Sequence, residues 1–158
     1  MLEAFSNIYE SIRRVSVQMK AYKTEIYPTK DQIKLIHQTC GNVRYIYNQY
    51  IATNFERLDK NKPVIWGYDY SKMINNDPTI PSWLKTVSSK ALKKAIMNAE
   101  GALRAYLKGD KGKPKFKKKS KYNSFYLTDL IKVERHRIFL PTLKWVRLKE
   151  YGYIPKYI

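Results

Sequence analysis

The sequence predicts an α+β fold in which helices are inserted into a β-sheet after its first strand. Three observations carry this. Polar and apolar residues alternate over 21–27, then take helical spacing from Thr29. Helical spacing returns in a second long stretch that Gly109 ends. Alternation resumes after a lysine block at 111–121. The 158 residues are 44% hydrophobic, enough for one domain with a real core.

Residues 1–18 open with Leu2, Phe5, Ile8, Tyr9 and Ile12 on one helical face. They are read either as a docking helix or, since patterning begins after Met19, as an extension from an upstream start codon; the second is preferred. In the strand expected over 21–27, Tyr22, Thr24 and Ile26 form the inward face, and Pro28 stops it. Thr29 and Gln32 are spaced as a capping box, in which hydroxyl and amide satisfy each other's backbone N–H. Asp31 suits the positive end of the helix dipole.

An apolar stripe then runs through Ile33, Ile36, Cys40, Val43, Tyr47, Tyr50 and Ile51. Gly41 either divides this stretch into a helix-turn-helix or is carried within one kinked helix at about 1 kcal/mol. The unbroken phase favours one helix, ending near 59–63.

A short helix is expected over 68–75, with Tyr70, Met73 and Ile74 on its apolar side, and a turn over 75–81. Trp83, Leu84 and Val87 form an apolar cluster. Ser88 or Ser89 can cap the next helix, where small residues at 91, 95, 99 and 102 permit close approach of a neighbour. Strands are expected over 124–127, 131–133, 138–140 and 145–148, with a bend at 134–137. Residues 151–158 read as a strand cut short.

Charge narrows the function. Lys and Arg number 31 against 13 Asp and Glu, a net +18. That excess implies a polyanionic partner. No run approaches the ~20 apolar residues of a membrane span. The start has no long apolar centre and carries Glu3 and Glu10, unlike a secretory signal. Cys40 is the one cysteine, so no internal disulfide forms and a cytoplasmic setting is expected. With one thiol and two separated histidines, His37 and His136, no zinc site is expected within this chain. His37 is expected to be partly buried and structural, His136 exposed in a hairpin turn. Ser88 and Ser89 lack the flanking pattern of a nucleophile. No cofactor, membrane partner or small-molecule ligand is expected.

Seven of the eleven residues from 111 to 121 are lysine and none is acidic. Such a block cannot pack on itself, and Pro114 bars a helix through it. It is either a solvated linker or a segment lying along a phosphate backbone. Phe116, an apolar anchor inside the run, supports the second.

The order of motifs resembles the amino-terminal part of TnpB/OrfB-type transposon proteins. The resemblance rests on Tyr27-Pro-Thr with Gln32 and on the run Cys40-Gly-Asn-Val-Arg-Tyr-Ile-Tyr-Asn48. It continues in Trp83-Leu before a serine-started helix, in Gly-Lys-Pro-Lys-Phe-Lys-Lys over 112–118, and in Leu140-Pro141 followed by Trp145-Val-Arg. It covers about residues 19–155.

The resemblance implies a helical, helix-turn-helix-like bundle inserted after the first strand of an incomplete wedge-type antiparallel β-barrel. The barrel would comprise 19–27 and 122–158, the helical recognition region 28–110, and the basic segment 111–121. In that family these parts hold guide RNA and target DNA beside a RuvC-like nuclease domain. This chain ends where the barrel would continue, with no RuvC-like domain or four-cysteine zinc finger following. A nucleic-acid-binding fragment without nuclease activity is therefore expected, from a truncated or decayed gene or from an isolated segment. Alternatives are a stand-alone helix-turn-helix DNA-binding regulator using 29–58, or a non-functional remnant.

The candidate nucleic-acid-binding residues are Lys20, Lys23, Lys30, Arg44, Tyr47, Asn48, Lys111, Lys113, Lys115, Phe116, Lys117, Lys118, Lys119 and Lys121. Arg44 and Asn48 share a helical face beside Tyr47. They serve either a structural network, with Arg44 on a carboxylate and Asn48 on a backbone carbonyl, or a contact. In the contact reading Arg44 meets a phosphate, and Asn48 a base edge or an adjacent loop; the family motif leans towards it. Trp83 and Trp145 are expected in the core.

Overall fold

In the computed structural model, which describes residues 20–155, the helix α1 (Lys30–Asp59) starts where the capping box places it. Gln32 N–H donates to the Thr29 hydroxyl at 3.3 Å, and Thr29 N–H donates to Gln32 Oε1 at 2.9 Å. α1 passes through Gly41 without a break, so no turn divides the segment. The stripe carried by Val43, Ile46, Tyr47, Tyr50 and Ile51 is buried as one continuous face. Its burial outweighs the backbone entropy of one glycine.

Two further helices complete the bundle, α2 (Gly67–Asn76) and α3 (Ser89–Leu107), with a 3₁₀ turn over Ser82–Thr86 between them. α3 lays Ala91, Ala95, Ile96, Ala99 and Leu103 against the face of α1. The alanines remove side-chain bulk at the seam, so large residues of α1 fill it. α2 adds Tyr70 and Ile74, and the Tyr50 and Tyr70 rings meet edge to face at 5.0 Å. Gly67 allows a close approach where α2 meets α3. Its N–H donates to Glu100 Oε2 at 2.7 Å, and a Cβ there would lie 2.5 Å from that oxygen.

The strands β1 (Ile26–Tyr27), β2 (Lys132–Val133), β3 (Arg137–Leu140) and β4 (Lys144–Leu148) form one antiparallel sheet in the order β1-β4-β3-β2. Ile26 stands opposite Leu148, Phe139 opposite Trp145, and Val133 opposite Ile138. The helices are thus inserted in the chain between β1 and β2, which lie at opposite sides of the sheet. The sheet is open, with β1 and β2 as its edges. Gln32 ties it to α1, donating from Nε2 to the carbonyls of Leu143 at 3.0 Å and Trp145 at 2.8 Å.

Several expectations are corrected. β1 is shorter than 21–27, and Tyr22 is exposed. No strand forms over 124–127, because Phe125 and Leu127 pack against the helical core instead. No strand forms over 151–155; the amphipathic stretch at 1–18 and the last three residues lie outside the described residues. Trp83 is 42% exposed, standing edge to face on Tyr45 at 5.0 Å, and Trp145 is half-buried. Met73 and Ile33 are exposed at the margins of their stripes, and His37 is exposed as well. Ser88 occupies the N-cap of α3 without a side-chain capping bond.

Candidate nucleic-acid interface

The lysine block leaves α3 at Gly109, whose φ of +81° turns the chain out of the helix. It then crosses α1 and is fastened there by side chains of that helix. Asn48 holds Lys117 by both backbone groups, donating from Nδ2 to its carbonyl at 3.1 Å and accepting its N–H on Oδ1 at 2.8 Å. One turn earlier, Arg44 Nη1 donates to the Tyr122 carbonyl at 2.8 Å and to Asn123 Oδ1 at 2.7 Å. Arg44 and Asn48 therefore form a structural network without a carboxylate, Asn48 on the backbone of the basic segment and Arg44 on Tyr122 and Asn123 just past its end. The loop itself closes through Lys121 N–H and Tyr122 N–H on the Lys118 carbonyl at 3.1 and 3.0 Å.

Aromatic faces of α1 support the lysines. Lys113 Nζ lies 4.3 Å from the Phe55 ring centre, and Lys117 Nζ lies 4.1 Å from that of Tyr47 and 5.6 Å from that of Tyr122. The ring quadrupole attracts each ammonium, which lowers the cost of drawing it from water. Lys117 is half-buried, and burial pushes its ammonium pKa below the usual lysine value. Tyr47 lies beneath it, 7% exposed, and burial pushes its phenol pKa up.

Lys111, Lys113, Lys115, Lys118, Lys119 and Lys121 remain exposed, as does Phe116. Salt bridges elsewhere in the described residues use Lys60, Lys90, Arg104, Arg137 and Lys149. The segment therefore presents cationic heads at the surface while its backbone is held.

Lys20, Lys23 and Lys30 are exposed but stand apart from this arrangement. Lys30 begins α1, and Asn48 lies eighteen residues further on, roughly 27 Å along the axis. The structure brings together Arg44, Tyr47, Asn48 and the 111–121 segment, and leaves the first three lysines at the sheet end.

Sequence reasoning missed two further fastenings of the same kind. Asn54, fully buried, donates from Nδ2 to the Ile65 carbonyl at 3.2 Å and accepts the Ile65 N–H on Oδ1 at 2.8 Å. Asn42 Nδ2 donates to the Trp83 carbonyl at 3.0 Å. Their signal was three asparagines spaced six apart on a helix, where asparagine is disfavoured unless its side chain has a partner. Among the described residues, no three His, Cys, Asp or Glu side chains gather as metal ligands, and no helix is long and apolar enough to cross a membrane.

Comparison with known proteins agrees with the motif order. Residues 19–63 match the helix-turn-helix domain family of OrfB/IS605 type. In this chain the matched span holds β1 and the undivided α1. Over 136 residues the chain is 26% identical to "Putative RNA-guided DNA endonuclease InsQ" of Escherichia coli (strain K12), covering 84% of this chain and 34% of that protein. The chain thus spans about a third of the length of this relative. The resemblance to the amino-terminal part of TnpB/OrfB-type proteins is borne out by both findings.

Proposed function

We propose that this chain, alike to the amino-terminal part of TnpB/OrfB-type proteins, is a nucleic-acid-binding portion of a transposon-encoded, RNA-guided nuclease system. Its basic segment grips the backbone of guide RNA or of DNA. The observation that carries this is the pinning of a lysine block by Asn48 and Arg44. A solvated linker has no use for a backbone fastened to a helix at Lys117 and again at Tyr122. Held lysines lose less conformational freedom on meeting phosphate. In this reading Lys111, Lys113, Lys115, Lys118, Lys119 and Lys121 meet phosphates, Arg44, Tyr47 and Asn48 position them, and Lys20, Lys23 and Lys30 form a separate outlying contact. Residues 28–110 serve as the recognition region, and the sheet as part of a wedge-type barrel. A stand-alone regulator built on 29–58 would want a turn near Gly41, where α1 is continuous.

The test is a salt titration. Replacing Lys115, Lys118 and Lys119 by Gln should weaken binding to unrelated sequences alike, and each lost duplex contact should reduce the slope of log affinity on log salt by about 0.9. An unchanged slope would return the block to the status of a linker. The chain by itself should not cut nucleic acid, because phosphodiester cleavage by metal ions needs several carboxylates around them. Incubation with labelled DNA and Mg²⁺ or Mn²⁺ should leave the DNA intact; chelator-sensitive cleavage that co-purifies with the chain would refute this.

A further inference from the structure

The pinned segment separates two clefts. Lys117 turns into one, beside Arg44 and Tyr122. Phe116 turns into the other, an open groove of about 440 Å³ between the segment and α1. The groove is floored by Ile51, Ala52 and Phe55 and walled by Pro114 and Phe116. Lys113, Lys115 and Lys118 complete its lining, and no acidic residue contributes to it. Phe116 is 56% exposed, yet it directly precedes the residue whose N–H and carbonyl Asn48 holds. The main chain that carries this exposed phenyl ring is thus anchored beside the groove.

We propose that this groove is a nucleotide subsite. It takes one unstacked base of a single strand against Phe116, with the neighbouring phosphates on Lys113, Lys115 and Lys118. The inference rests on the nucleic-acid reading above and adds a ligand class to it. Charge complementarity selects the occupant: an apolar floor rimmed only by cations suits a flat ring carried on a polyanion. It suits an uncharged apolar peptide poorly, since three ammonium groups would lose water without a counter-charge. The floor offers few polar groups, so the base is held by its face and not read at its edge. The subsite should therefore tolerate any base and exclude a duplex, whose bases are stacked on one another.

Binding of the full chain should be compared for an oligothymidylate of about twelve nucleotides, its abasic counterpart, and a duplex of the same length. Phe116→Ala should weaken oligothymidylate binding by roughly 5- to 150-fold, the range for loss of one base–aromatic stack. It should leave the abasic strand, the duplex and the melting temperature unchanged. Phe116→Leu, which keeps the apolar bulk and loses the aromatic face, should fall between. If Phe116→Ala affects no strand, or the base-bearing and abasic strands equally, the subsite is overturned while the wider reading stands. If Phe116→Ala instead shifts the chain from dimer to monomer in sedimentation, the groove is a self-docking face and the subsite is overturned. If no nucleic acid binds at all, both readings fall together.

Discussion

Asn48 shows what a single side chain contributes here. Replacing it by alanine leaves the Lys117 N–H and carbonyl unpaired in a half-buried place, at a cost of about 1–3 kcal/mol. The Asn48→Ala variant should have a lower denaturation midpoint, and trypsin should cut its 111–121 segment faster under native conditions. Equal cleavage rates in variant and parent would show that Asn48 does not hold the segment. Arg44→Ala should cost less, about 1 kcal/mol, because its bonds lie where water can reach the freed carbonyl. At this scale the sequence was legible in part. The Arg44–Tyr47–Asn48 face could be read from spacing, since a helix of known phase fixes which residues are neighbours. What that face grips could not, because its partner lies 69 residues away and is backbone, which leaves no trace in side-chain identity. Trp83 misled because a large ring can satisfy itself on one neighbour, Tyr45, without being enclosed.

Among the elements, the seam between α1 and α3 is the most sensitive. Ala95 and Ala99 are 7% and 0% exposed and face the large residues of α1. Ala99→Leu inserts a branched side chain into a filled space and should cost about 1–3 kcal/mol through displaced rotamers and backbone. Thermal melting of the variant checks this; an unchanged melting temperature would mean that the seam is loose. Both long helices were legible because their apolar stripes repeat over many turns, and the capping box and Gly109 marked one end of each. The stretch 124–127 was not. Its alternation is real, but alternation reports only that every second residue is buried. Phe125 achieves this against the helical core without any ladder partner.

For the whole molecule, the buried tyrosines set a limit at alkaline pH. Burial raises the phenol pKa of Tyr70 to about 12, and those of Tyr47 and Tyr50 move the same way. Each raised value means that the unfolded chain loses its proton first. The stability they support is intact below the ordinary tyrosine value near 10 and is lost as pH rises towards 12. Lys117 opposes this: its lowered pKa is a cost borne at neutral pH and relieved as pH approaches 10.5. One lysine against three tyrosines leaves a net loss. Melting temperature should fall steeply above about pH 10, and less steeply in Tyr70→Phe. A flat profile to pH 12 would contradict it. The sheet order β1-β4-β3-β2 is the part of the architecture least visible in sequence, since Ile26 pairs with Leu148 across all the helices between them, which must bring the two together. That dependence returns to α1. Asn42, Asn48 and Asn54 follow one another at six-residue steps, which places them roughly 120° apart around the axis. Three separate strands of chain are thus moored to three sides of one mast. Adding or removing a single residue between two moorings would swing everything beyond it by about 100° and cast off whatever was tied there. Changes of length are therefore tolerable in the connections around α1 but not within it, and an alanine inserted after Gln49 should unfold the chain where the same insertion after Lys60 should not.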